Sequence, residues 1–95
     1  MIKSFSSKAL ELLWEENVDK KLPQSCVDRL KRILTLLNST KTINDLGAVS
    51  KSFRLHQLKG PPFKGFWSLD VNANYRVIFR LVDGNVYDVN FVDTH

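Results

Sequence analysis

The apolar residues of this chain recur at helical spacing up to about residue 50 and alternate with a period of two from Phe53 onward. That single change of period limits the chain to helices followed by a strand meander, packed as helices on one face of an antiparallel sheet. After a short apolar start around Ile2 to Phe5, Ser6 or Ser7 can cap a helix that buries Ala9, Leu10, Leu13 and Trp14 and ends near Asn17. A second helix opens at Pro23, which a first turn accepts, and turns Cys26, Val27, Leu30, Ile33, Leu34 and Leu37 inward before stopping near Asn38 and Ser39. Residues 42–49 add a short helical turn, weakened by Gly47. Strands are expected near 53–58, 66–71, 75–82 and 85–92, with Asp83-Gly84 as a two-residue hairpin turn between the last two. The fold class is therefore α+β: a short N-terminal strand and two to three helices on one face of a twisted, mostly antiparallel sheet.

With 95 residues there is room for one hydrophobic core and one domain, spanning 1–95. A hydrophobic fraction of 43% and a charged fraction of 25% are ordinary for a globular domain and argue against disorder or a fibrous repeat. The lone cysteine, Cys26, cannot make an internal disulfide and falls in a helical apolar pattern, as a packed thiol in a reducing compartment does. Glu11, Glu15 and Glu16 stand where a signal peptide is apolar, and no apolar run approaches the ~20 residues of a membrane span, so the cytoplasm is the expected location.

Fourteen Lys and Arg against ten Asp and Glu give a net charge of +4, which makes a polyanionic partner plausible. Distribution says more than the total. No acidic residue occurs between Asp45 and Asp70, while Lys51, Arg54, His56, Lys59 and Lys64 all do. An uncompensated cation cluster attracts phosphate.

The hairpin allows a geometric step. A turn at Asp83-Gly84 pairs Val82 with Asn85, Arg80 with Tyr87, Ile78 with Val89 and Arg76 with Phe91, all on one face. Alternation carries Asp93 and His95 along that face toward Arg76, and leaves Tyr75, Val77, Phe79 and Leu81 for the helices. A mid-strand arginine such as Arg76 needs an anion or a buried partner, for which Asp93 is a candidate. His56 and Lys59, three apart, point oppositely on a straight strand, but a bend at Gly60-Pro61-Pro62 brings Lys59 round. Phe63, Phe66 and Trp67 offer rings for stacking on bases, yet Trp67, Leu69 and Val71 alternate as core residues do.

Two distant histidines, one cysteine and scattered carboxylates make no metal-ligand spacing, and there is no glycine-rich phosphate loop or nucleophile elbow. No cofactor is expected. Imidazole with fixed cations suits attack by an RNA 2′-hydroxyl on its own phosphate, because imidazole exchanges protons near neutral pH and Arg or Lys offsets charge on the phosphate oxygens.

The run Leu55-His56-Gln57-Leu58-Lys59-Gly60, followed by Gly65-Phe66-Trp67-Ser68, Asn74-Tyr75-Arg76-Val77 and Asp93-Thr94-His95, resembles the HigB toxins of the RelE/ParE superfamily, the plasmid maintenance killer type. The opening Met1-Ile2-Lys3-Ser4-Phe5 fits as well, so the resemblance spans essentially the whole chain. It implies a RelE-like fold, cleavage of messenger RNA on the ribosome, and a neutralising HigA-type antitoxin with a helix-turn-helix domain through which operator DNA is bound. By position, the family's catalytic or RNA-binding set falls on His56, Lys59, Arg76 and His95, with Asp93 and Thr94 beside them as RNA contacts, and Arg54 and Lys64 of the cation cluster are expected to contact RNA as well. In roles consistent with that chemistry, Arg76 and Lys59 clamp phosphate and His56 and His95 move protons. Thr94 replaces a tyrosine of many relatives, and Pro61-Pro62-Phe63 stands where many carry charged residues. Two other functions share parts of this pattern: a ParE-like toxin that binds gyrase, against which the two histidines speak, and a non-catalytic RNA-binding module.

Overall fold

The structure, a computed structural model, describes residues 1–94. Helix α1 is Lys8–Glu16; the Leu10 N–H donates to the Ser7 hydroxyl at its start, and Asn17 closes it in the left-handed conformation (φ 56°). A 3-10 turn, Gln24–Cys26, follows Pro23 and runs into α2, Val27–Ser39. Leu10 on α1 and Leu30, Ile33, Leu34 and Leu37 on α2 are wholly buried, each such side chain contributing about 1.5–3 kcal/mol. The segment expected to turn once does so as the 3-10 helix Ile43–Val49, opened by a capping box between Thr42 and Asp45. There the Asp45 carboxylate accepts from the backbone N–H of Lys41 and then of Thr42, which holds its pKa below the ordinary carboxylate value.

Four strands form one antiparallel sheet in sequential order: β1 (His56–Gln57), β2 (Trp67–Asp70), β3 (Tyr75–Val82) and β4 (Asn85–Asp93). The N-terminal segment lies parallel to β4 through bridges Ile2 to Val86 and Phe5 to Val89. Cys26, Leu69, Val77, Phe79, Val86 and Val89 join the helices in one apolar core. Among the described residues no helix is long and apolar enough to cross a membrane.

Two sequence expectations are corrected. The strand expected at 53–58 shrinks to two residues, because Phe53 and Arg54 belong to a turn in which Arg54 takes a left-handed φ of 49°. The β3–β4 register holds from Val82–Asn85 to Arg80–Tyr87 and then slips by one residue at a bulge. Asp88 occupies it with φ 55°, its N–H donating to the Ser4 hydroxyl at 2.8 Å and its carboxylate accepting from Arg80 Nε at 2.8 Å. Beyond the bulge Ile78 faces Asn90, Val77 faces Phe91, Arg76 faces Val92 and Tyr75 faces Asp93. The expected pairs Ile78–Val89 and Arg76–Phe91 are therefore displaced. Unbroken alternation was the ground for bringing Asp93 and His95 to the Arg76 face, and it fails at this bulge. His95 itself lies outside the described residues.

Candidate active site on the outer sheet face

Residues directly opposite one another share a face, so the register assembles the site. One row across the sheet runs His56, Ser68, Ile78 and Asn90; the next runs Asp70, Arg76 and Val92. Trp67, Leu69 and Val71 point the other way, toward the helices, which is why Ser68 and Asp70 turn outward.

Arg54, His56 and Arg76 line one groove with Ser50, Lys51 and Leu55, a space of about 430 Å³. Three of the candidate site residues thus meet, together with Lys51 of the cation cluster. His56 Nδ1 lies 2.8 Å from the Arg54 carbonyl oxygen. A carbonyl only accepts, so Nδ1 carries the hydrogen and Nε2 is the nitrogen left to take or give a proton. The left-handed turn at Arg54 thereby sets the tautomer of the neighbouring imidazole.

Arg76 also lines a second pocket of about 330 Å³, with Phe63, Ser68, Ile78, Asp93 and Thr94 among its walls. Phe63 packs edge-on against Phe66 there, with centroids 5.3 Å apart. Thr94 is tied to the β2–β3 turn: its N–H donates to the Asn74 carbonyl at 2.9 Å and its hydroxyl to the same oxygen at 3.1 Å. Arg76 is thus the residue common to both spaces.

Lys59 and Lys64 are exposed in the loop between β1 and β2, which is closed by the Leu58 N–H donating to Phe66 O and the Gly65 N–H donating to Leu58 O. Neither lines the groove or the pocket. The chain does bend after Leu58, but the bend does not carry Lys59 into the groove of His56.

Asp93, a candidate partner for Arg76, lines the second pocket with it, and the structure also brings Asp70 to Arg76. Arg76 Nε lies 3.4 Å from Asp70 Oδ1, and Arg54 Nε lies 3.6 Å from Asp70 Oδ2. Sequence reasoning missed this residue, although the outward place of Asp70 in a strand whose odd positions are apolar was the available signal. Ser68 was missed on the same ground: its hydroxyl is buried beneath the site with no hydrogen-bond partner. Among the described residues, no cluster of three or more His, Cys, Asp or Glu is placed to hold a metal ion.

The chain is similar to known proteins over its whole length. A family model described as the RelE-like toxin of the type II toxin–antitoxin system HigB matches residues 3–95. "Endoribonuclease HigB" of Proteus vulgaris is 38% identical over 95 residues, covering the whole of both proteins. "Toxin HigB-1" of Vibrio cholerae serotype O1 is 33% identical over 96 residues, covering the whole of this chain and 98% of the relative. Among solved structures, YafQ from E. coli strain BL21(DE3) superposes with a TM-score of 0.63 at 21% identity, covering 99% of this chain and 92% of that one, which establishes the shared fold.

Proposed function

This chain belongs to the HigB-like toxins, RelE-like toxins of type II toxin–antitoxin systems, and on that premise we propose that it is an endoribonuclease cutting messenger RNA on the ribosome through its outer sheet face. As a type II toxin it has an antitoxin partner. The observation that carries the catalytic reading is the meeting of Arg76, Arg54 and a tautomer-set His56 around one groove.

In the reaction the RNA 2′-oxygen attacks the adjacent phosphorus while the bond from phosphorus to the 5′-oxygen breaks, leaving a 2′,3′-cyclic phosphate and a 5′-hydroxyl. One histidine takes the 2′-hydroxyl proton and the other protonates the leaving oxygen; His56, through Nε2, and His95 share these tasks. Arg76 offsets the charge that grows on the non-bridging phosphate oxygens, and Lys59, carried on the loop between β1 and β2, is assigned to the same phosphate. Arg54, Lys64, Asp93 and Thr94 contact the flanking nucleotides. The RNA supplies its own nucleophile, so no metal is required. The whole of 1–95 acts as one toxin domain in the cytoplasm, neutralised by a HigA-type helix-turn-helix antitoxin that carries the pair to operator DNA.

Primer extension on messages from translating ribosomes tests this. Wild type is expected to cut in a ribosome-dependent way, with cleavage kept when a chelator is added under conditions that leave ribosomes assembled. Cuts that persist in the double variant His56→Ala, His95→Ala overturn the mechanism. Intact transcripts with stalled replication point to gyrase instead. Growth arrest relieved by a helix-turn-helix protein from the neighbouring reading frame supports the HigA-type partner.

A further inference from the structure

Two guanidinium groups of like charge converge on the His56 groove, and a carboxylate sits between them. Asp70 is directly opposite Arg76 in the β2–β3 register, and both of its oxygens are engaged, Oδ1 with Arg76 Nε at 3.4 Å and Oδ2 with Arg54 Nε at 3.6 Å. Its side chain is only 17% exposed, against 78% for Arg54 and 37% for Arg76. The two arginines line the groove; Asp70 does not, and instead lines the adjoining hollow with Arg29, Ser52 and Asn72. It therefore holds the guanidiniums from behind, through the nitrogen nearest each side-chain stem.

From this we infer that Asp70 is a positioning residue that assembles Arg54 and Arg76 into a paired clamp for RNA phosphate. The inference rests on the reading of the groove as an RNA-cleaving site. An arginine gripped at Nε keeps its two terminal nitrogens for another acceptor, and those nitrogens form the fork that matches two phosphate oxygens. Without the carboxylate, two guanidiniums at one groove repel each other and swing apart into solvent. Asp70 Oδ1 is buried and makes no hydrogen bond, and the carboxylate charge is shared between the two ionic contacts to Arg76 and Arg54. The carboxylate stands outside the groove, where it can orient both cations without occupying the place of the phosphate.

The test is single-turnover cleavage of message on programmed ribosomes, with thermal unfolding measured in parallel. Asp70→Asn, which keeps shape and loses charge, is expected to lower the rate at saturating ribosomes on the order of tenfold, as for coupled neighbouring charges. The half-saturating concentration should move less than the rate, the melting temperature should hold, and Asp70→Glu should recover part of the loss. An unchanged rate overturns the proposal. So does a faster one, which would make Asp70 a competitor of phosphate. A slow rate matched by a lost melting temperature, with no recovery in Asp70→Glu, overturns it in favour of a purely structural role. The underlying reading fails separately, through wild type that does not cut or Arg76→Ala that cuts as well as wild type.

Discussion

On the inner face of the sheet Leu69, Val77, Phe79 and Val89 are fully buried against the helices, whereas one residue along each strand the outer face carries Asp70, Arg76 and Ser68. The first set is wholly apolar. The second holds an ion pair at 3.4 Å and a buried hydroxyl with no partner. Strands β2 and β3 thus carry the packing surface and the proposed site at once, divided by side-chain parity, and a substitution at one position should disturb one property with little effect on the other.

The largest expected effect lies on the inner face. Phe79→Ala should lower unfolding free energy by about 3–5 kcal/mol in urea titration, while the remaining folded protein keeps its cleavage rate. If that rate collapses as well, the two faces are not separable. Next, Arg76→Ala should slow cleavage by about 10²–10³-fold, the cost of removing a transition-state charge partner, yet change stability by less than about 1 kcal/mol, since its ion pair is partly solvated. A large loss of stability there would show that the outer face also holds the fold together.

Ser68→Ala sharpens the contrast, for it removes a polar group that makes no bond. Stability should rise by about 1 kcal/mol, read by the same titration. A fall would mean that the hydroxyl has a partner in solution. The smallest effect belongs to Asp45, which lies on neither face. Its pKa is lowered in the folded state, so its contribution is present at neutral pH and is lost as pH falls through that lowered value. Asp45→Asn should melt slightly below wild type at pH 7, and the gap should close in acid; a gap that persists there removes the cap charge as its cause.

What could be read from sequence follows the range of the forces involved. Ser7, Asn17 and Pro23 mark helix ends through contacts within a few residues, and Asp83-Gly84 sets its own turn, so these elements emerged where the pattern put them. The bulge at Asp88 depends on Ser4, 84 residues away, and no local pattern announces it. It shifted the pairing of Arg76 and undid the argument that carried Asp93 there. Arg54 in its left-handed turn shortened β1 for a similar reason, since Ser52 and Phe53 on that turn engage α2 through Arg29. His56, Arg54 and Arg76 were legible as candidates because their chemistry is intrinsic, and the structure brings the three to one groove. The role of Asp70 is relational, and appears only once the strand opposite is known.

The N-terminal strap also orders events during synthesis. Residues 1–6 bond to the backbone of β4, with Val86 N–H donating to Met1 O and Ser6 N–H to Val89 O. Those partners emerge from the ribosome some eighty residues later, so the strap must wait, unpaired, through nearly the whole of translation. Arg76 gains its β4 neighbour Val92 only after that. Until β4 is made, the second pocket therefore lacks its Val92 and Asp93 wall and the strap lacks its partner.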